Sequence, residues 1–537
     1  MPIRTLAEQT AFRRMWHSQD GTAPDDALWY SENIVPVDGQ LTTRPGMALL
    51  TAEVGTTGVA QGLTDFFYAS GRHYVAVVNG EIWENPESTL AGWTRRITSA
   101  NLATASITLS TTADCYFAVL NGKLVVSDST NVPFIWDGTA GGGLTSLTNA
   151  PVLYGQPVIY YGKLFGIKNT ERTAIVWSEE NDSTIGYEAG GYNNAWSLTQ
   201  TSQDNLTCLA ATNTGLYYFR ATSIGLVTGA VTPDFSTTGV HDSVSAESGC
   251  LDPRGPLQAY GALWFFDNNY RPVVLRDGVV LPIWKALMGL WGQHTLTQPY
   301  QATAFSGTLA DLGVATNATQ IDVIFAYPSI HAVGFVYQTT AKMTVILVRA
   351  DGSPLCYLTN RNAGTVVGAI LTRPTAAVGL TGNEVIFLGS DRSVGFFPGI
   401  TEYQNTVGLA DAWPSTANPY QRFITRRFYV SQDRAAWFTE YTLECERAAV
   451  SGSTTVSSFG LQYLTSDVQT IAGITTAQTV TSTLSEKETK TVGINGYGRW
   501  IAAAVTVNHS STTNTKYARV HGLHIRGAVD APDVALA

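Results

Sequence analysis

Four carboxylates, Glu179, Glu180, Asp182 and Glu188, lie in one Gly/Asn-rich stretch among Trp177, Tyr187, Tyr192 and Trp196. Two carboxylates about 5 to 10 Å apart across a sugar-sized groove are the machinery of glycoside hydrolysis, and the aromatic faces could stack on sugar rings. The same residues serve as a solvated loop with its aromatics packed into the core, and that reading carries more weight. Asp267-Asn268-Asn269 and Asn181-Asp182-Ser183 offer oxygens of the kind that ligate calcium, but such residues are ordinarily turn formers. The closest histidines, His521 and His524, would point to opposite faces of a strand, so a shared metal is not expected. Asn121-Gly122-Lys123-Leu124 and Tyr161-Gly162-Lys163-Leu164 lack the loop and the hydroxyl of a phosphate-binding motif. The sequence contains neither H-E-x-x-H nor G-x-S-x-G. Gly493-Ile494-Asn495-Gly496-Tyr497-Gly498 reads as a hairpin turn and not as a dinucleotide loop. No catalytic, metal or cofactor site is therefore expected, and the chain is not read as an enzyme.

The elements that would position these residues are strands. Charged residues make up 14% of the 537 residues, against about 25% in ordinary soluble domains. Thr, Ser, Asn and Gly replace them, with 24 Tyr and 13 Trp, a mixture that favours strands and turns. The net charge of −10 argues against a protein that grips nucleic acid. No apolar stretch is long enough for a membrane helix, and the residues after Met1-Pro2-Ile3-Arg4 lack the apolar core of an export signal. Cys115, Cys208, Cys250, Cys356 and Cys445 are far apart and odd in number, which predicts buried free thiols.

A turn ending in glycine and followed by an apolar strand recurs at Asn79-Gly80, Asn121-Gly122, Tyr161-Gly162, Thr214-Gly215, Tyr260-Gly261 and Thr381-Gly382. The steps between these glycines are 42, 40, 53 and 46 residues, then 121. Propeller blades repeat at about 40 to 50 residues, and the long step holds strand-like runs at 321–327, 332–337 and 343–349 that read as one further blade. The expectation is all-β: a propeller of about seven blades over 56–400, with a helical insertion near 282–292. A segment over 1–55 leads into it, with a helix-like stretch from Thr5 to Trp16. A connector over 401–420 and a β-sandwich over 421–537 follow. An irregular array of β-sandwiches is the competing architecture.

Glu32-Asn33-Ile34-Val35-Pro36 to Gly39, running into Arg44-Pro45-Gly46, resembles the opening of a family of phage tail proteins, in which an N-x-x-P … G … R-P-G stretch leads into a propeller. Similar runs follow in order: Val176-Trp177-Ser178-Glu179, Ala195-Trp196, Leu206 to Leu209, Leu216-Tyr217-Tyr218-Phe219, Ile224 to Gly229, and Gly249-Cys250-Leu251-Asp252-Pro253-Arg254. Leu461 to Asp467 and Arg519 to Ile525 resemble the family's terminal sandwich. The family is the tail nozzle, also called tubular or stabilisation, proteins of short-tailed phages. The resemblance implies a virion protein that forms a ring, usually of six subunits, at the distal end of the tail, through which DNA leaves. Other tail proteins, such as an adaptor and tail fibres, and the host surface would be its neighbours.

For such a ring, an acidic wall would repel the duplex near contact and let it slide without sticking. Arg13, Arg14, Arg422, Arg426 and Arg427 are candidates for pairing with carboxylates of a neighbouring subunit. Ile283, Trp284, Leu287, Leu290 and Trp291 of the insertion are candidates for gating or for packing within the chain's own propeller. The alternative function is a carbohydrate-binding or carbohydrate-cleaving propeller acting on the host envelope.

Overall fold

Runs such as Val75-Ala76-Val77-Val78, Leu124-Val125-Val126, Ala262 to Phe266 and Val385 to Leu388 are apolar at consecutive positions and wholly buried. Side chains along a strand alternate between its two faces, so each of these strands must be covered on both sides. The computed structural model meets that demand with sheets packed face to face. It describes residues 3–16, 24–51, 53–69, 71–86, 92–147, 149–178, 195–198, 204–229, 240–290, 321–339, 342–360, 366–371, 374–375, 380–381, 385–397, 421–430, 435–449, 457–465, 478–482, 487–509 and 515–529.

Five four-stranded antiparallel sheets follow in chain order, each a meander. They begin with strands Ala60–Tyr68, Tyr116–Leu120, Leu153–Tyr160, Leu206–Ala211 and Leu257–Ala259. A sixth four-stranded unit, Ile321–Tyr327, Ala332–Thr339, Lys342–Arg349 and Pro354–Asn360, fills the long step in the glycine spacing and continues into a larger sheet. The seventh sheet combines Val366–Leu371, Val385–Gly389 and Val394–Phe397 with Ala48–Thr51 from the other end of the chain. The structure is thus all-β and built from many small antiparallel sheets.

Consecutive sheets share cores, and alternate residues of one strand enter different cores. Leu124 and Val126 join Phe66 and Val77 of the first sheet, whereas Val125 joins Leu153 and Leu164 of the third. Tyr218 meets Phe165 and Trp177, while the adjacent Phe219 meets Phe265. Trp264 and Phe266 pack on Phe335, and Phe325 packs on Phe387. Ile386 and Leu388 of the seventh sheet pack on Ala60, Leu63 and Tyr74 of the first.

The glycine turns have a common geometry. Asn79-Gly80, Asn121-Gly122, Tyr161-Gly162 and Tyr260-Gly261 all have two successive positive φ angles, between 48° and 71°. That is the two-residue hairpin turn whose twist matches the strands it joins. Asn79-Gly80 joins the second and third strands of its sheet, whereas the other three join the first and second. Its spacing to the next turn therefore mixes two positions within the repeat.

The N-terminal region differs from expectation. Thr5 to Trp16 contains no helix: Arg4–Gln9 pairs with Thr515–Val529, and Arg14–Met15 pairs with Ala27–Glu32. Ala7 and Gln9 are buried while Glu8 between them and Thr10 after them are exposed, the period of a strand and not of a helix. Ile34–Val37 and Gln40–Thr43 join the same sheet as Thr515–Val529, Ala436–Ala449 and Glu488–Gly498. Ala27–Glu32 joins the facing sheet beside Gln421–Thr425, ahead of Trp500–His509, Ser457–Thr465 and Gln478–Ser482. The two sheets close over one core that includes Phe12, Leu28, Phe423, Phe438, Leu443 and Ile525. The N-terminal residues are thus part of the C-terminal sandwich. The expected connector, 401–420, lies outside the described residues.

The glycine-rich run at 493–498 is also not a hairpin turn. It lies within the strand Glu488–Gly498, and a Cβ on Gly496 would fall 2.9 Å from the ring of Tyr463 on the facing sheet. Glycine there permits close approach of the two sheets.

Candidate functional site: the junction of sandwich and sheets

Ala27–Glu32 occupies the position where the two parts of the molecule meet. It runs antiparallel to Gln421–Thr425 on one side, and Glu32 pairs in parallel with Tyr357 of the sixth four-stranded unit on the other. A bulge between Leu28 and Tyr30 breaks the alternation of this strand and turns the two residues to opposite faces, Leu28 into the sandwich core and Tyr30 into a second core with Trp264, Phe335, Tyr357 and Ala502.

Glu32 is fully buried, and a buried carboxylate needs partners. Arg422 Nε lies 2.5 Å from one of its oxygens, and the Tyr30 hydroxyl donates to the same oxygen at 2.9 Å. The Arg422 guanidinium stands 5.6 Å from the centre of the Tyr30 ring. Burial, then the Glu32 charge, pushes the Tyr30 hydroxyl well above its ordinary pKa, so it stays a donor. Eleven residues beyond Asn33, Arg44 completes the clasp. It is also fully buried; its Nε donates to Asn33 Oδ1 at 2.7 Å and its backbone N–H to Asn33 O at 3.1 Å. Asn33 takes φ 57°, and its own N–H donates to Tyr357 O at 2.7 Å. Asn33, held in place by Arg44 eleven residues on, therefore bonds the entering chain to the sixth unit, and both are positions of the N-x-x-P … R-P-G motif.

A neutral histidine lies on the same sheet. His509 Nε2 lies 2.6 Å from Gln421 Oε1 and Nδ1 lies 2.9 Å from Ser457 Oγ, which fits one donating and one accepting ring nitrogen. Burial lowers its pKa to about 4. An unfolded histidine titrates near 6.5, so this group leaves stability unaffected above that value and withdraws it as pH falls from about 6.5 to 4. The melting temperature is expected to decline over that window, and His509→Gln is expected to flatten that part of the decline. An unchanged slope in the variant would contradict the assignment.

The five arginine candidates separate. Arg422 is a correction: it is buried, and its carboxylate comes from the same chain, leaving nothing to offer a neighbouring subunit. Arg14 pairs with Asp26 at 3.2 Å, and Arg426 pairs with the highly exposed Asp25 at 2.6 Å. Arg427 lies over the Trp500 ring at 4.6 Å, and Arg13 is exposed. Arg14, Arg426 and Arg427 are thus half-buried and engaged within their own chain, and only Arg13 of the five is exposed.

The insertion is a 3-10 helix, Ile283–Leu290, with a kink at Leu287. Ile283 and Leu287 are buried in the core shared by the fifth sheet and the junction, and Arg271 lies 3.8 Å over the half-buried Trp284 ring. These side chains pack within their own chain. Leu290 ends the helix, and Trp291 lies outside the described residues.

Glu179, Glu180, Asp182, Tyr187, Glu188, Tyr192 and the triplet 181–183 also lie outside the described residues. Trp177 is buried against Phe165, in inter-sheet core. Asp267 has its oxygens occupied: Oδ1 accepts from the backbone of Asn269 and Arg271, and Oδ2 pairs with Arg271 at 2.7 Å. It closes a turn. His521 lies 3.2 Å from Glu446, and His524 lies 3.7 Å from Glu8 and 3.9 Å from Glu444. A register shift in the strand pairing at Glu444 and Cys445 breaks strict alternation there, so both histidines reach carboxylates of one strand. Among the described residues no group of three or more His, Cys, Asp or Glu side chains is placed to hold a metal.

Sequence reasoning missed the densest polar cluster. Glu84 accepts from Tyr68 and Arg96 and lies 2.7 Å from His73 Nδ1, all on the first sheet. Burial acts to raise the Glu84 pKa, but bonds from Arg96, Tyr68 and His73 outweigh it and hold the carboxyl below its ordinary value. Burial and the Glu84 bond push Tyr68 up. A carboxylate so occupied braces a sheet and is a poor proton acceptor. The spacing of these residues, on three adjacent hairpin strands and the fourth, is visible only once the register is known. A hollow of about 270 Å³ with a mixed lining also opens between the fourth and fifth sheets, bounded by Thr212, Thr214, Gln258 and Asp277 and by Leu263 and Leu275.

No family model matches the chain, and no curated protein matches it. Among solved structures, the chain is similar to the computationally designed Ika8 protein, with 11% identity, a TM-score of 0.37, and coverage of 66% of this chain and 100% of that one. It is also similar to YCF48 bound to D1 peptide, with 10% identity, a TM-score of 0.36, and coverage of 66% and 99%.

Proposed function

We propose that this chain is a structural component of a phage tail: its seven four-stranded units close as a propeller, and its subunits assemble into a ring that conducts DNA during ejection. The observation that carries the reading is the junction. The residues that bear the resemblance to tail nozzle proteins, Asn33 and Arg44, form a buried clasp between sandwich and sheets and not a reaction centre. Packing of the seventh sheet on the first supports closure. A part that must hold a bore open under load benefits from such rigid coupling, and rings arise when a heterologous contact closes under cyclic symmetry. Six subunits, contacts with adaptor and fibre proteins, a position in the virion and an approach to the host surface belong to this proposal. In it, the net charge of −10 keeps the duplex from adhering to the wall.

Arg426 and Arg427 give a direct test. Arg426→Glu with Arg427→Glu reverses both charges and sets a carboxylate against Asp25. Ring formation by the purified protein, read by light scattering, is expected to fall by at least tenfold in apparent affinity. Unchanged assembly would remove these residues from the interface.

A second reading has one observation in its favour. The hollow bounded by Thr212, Thr214, Gln258 and Asp277 presents hydroxyl, amide and carboxylate groups of the sort that hold a sugar. A monomer that retains or degrades host polysaccharide would favour this reading over the ring.

A further inference from the structure

The linker between the fourth and fifth sheets takes a long way round. We infer that residues 250–255 form a strap across the inside of the ring of sheets and stop its central opening at one end. The inference rests on the closure proposed above.

A linker between adjacent sheets needs to touch only the two that it joins. This one reaches three sheets from within. At its start, Cys250 N–H donates to Arg220 O at 3.0 Å, and the Thr207 hydroxyl donates to Cys250 O, both on the fourth sheet. Gly255 lies so close to the first strand of that sheet that a Cβ on it would sit 3.1 Å from Leu209 O. On the third sheet, Gln156 N–H donates to Pro253 O at 2.7 Å. Its neighbour Gly155 has φ 67°, and a Cβ there would collide with the same carbonyl. The strap then reaches the approach to the second sheet, where Arg254 Nη2 lies 3.2 Å from Asp114 Oδ2. Those two residues are 140 apart in sequence.

The first strands of the second, third and fourth sheets contact one another in that order, so they form one continuous wall. A segment that bonds to this wall at three successive sheets and returns to begin the fifth at Leu257 runs along the edge that these first strands share, which faces the axis if the sheets close as proposed. The strap is stiff. Asp252 Oδ1 accepts from Arg254 N–H at 2.9 Å, Asp252 O accepts from Gly255 N–H at 3.0 Å, and prolines occupy 253 and 256. Asp252 is itself buried, and burial raises its pKa. A subunit whose own axis is strapped does not pass DNA through its propeller. Any passage lies between subunits.

The test uses the full chain in two double variants, treated with a short bismaleimide that adds one thiol across each maleimide double bond. Asp114→Cys/Arg254→Cys reports the strap. Glu53→Cys/Arg392→Cys reports closure, because that pair, 2.6 Å apart, holds the N-terminal strand to the seventh sheet. Both pairs are expected to cross-link within one chain, read as a single mass addition and a joined peptide pair. If only the closure pair links, the strap is overturned while the closed ring stands. If the closure pair fails to link, the ring reading fails and takes the strap with it.

Discussion

Arg422→Met is expected to destabilise the protein by about 3 to 5 kcal/mol, the usual penalty for leaving a buried charge without its partner. Glu32 is fully buried beneath the junction and would lose the cation that balances its charge, while the Tyr30 hydroxyl still donates to it. No solvent can replace the guanidinium without opening the core that holds Tyr30, Trp264 and Phe335. The variant's urea midpoint should fall accordingly. Replacing both partners, Glu32→Leu with Arg422→Met, should recover more than half of the loss, because two apolar groups of similar volume often match a buried ion pair. Equal stability in the double and single variants would show that the loss arises from packing and not from the stranded charge.

Deleting residues 1–51 is expected to abolish folding of the sandwich altogether. The deletion removes Phe12, Leu28, Ile34 and Leu41 from the sandwich core and Val35 and Met47 from the core between the sixth and seventh units, all essentially fully buried. At about 1.5 to 3 kcal/mol per buried side chain, the loss matches or exceeds the roughly 5 to 15 kcal/mol by which domains are stable. It also strips Ala27–Glu32 from between two strands, exposing unpaired edges on Pro354–Asn360 and Gln421–Thr425. The truncated chain should aggregate, and co-expression of residues 1–51 as a separate fragment should restore soluble protein. A truncated chain that is soluble and melts like the intact one would contradict the N-terminal role.

The part of this architecture that rests on local chemistry is legible in the sequence. Asn79-Gly80 and Asn121-Gly122 announce tight hairpins because few other pairs tolerate two positive φ angles, and the apolar runs beside them announce strands covered on both faces. The extra strands in the 121-residue gap are readable for the same reason, and they form the sixth unit. What depends on distant pairing is not legible. Arg4–Gln9 finds its partner more than 500 residues away, and nothing local distinguishes that strand from the start of a helix. Ala48–Thr51 gives no sign that it belongs to the last sheet. Arg422 looked available because its type favours interfaces, but the carboxylate that claims it is 390 residues distant. The Glu84 cluster was invisible because its four members are ordinary residues until strand register brings them together.

The central claim, a structural ring whose bore lies between subunits, is tested most directly by a cryo-electron microscopy map of the purified protein at side-chain resolution. The account predicts closed rings of several subunits, a strapped seven-unit propeller in each, and an acidic or uncharged wall around a shared bore. A monomer, or a ring whose bore is lined by lysine and arginine, would contradict it.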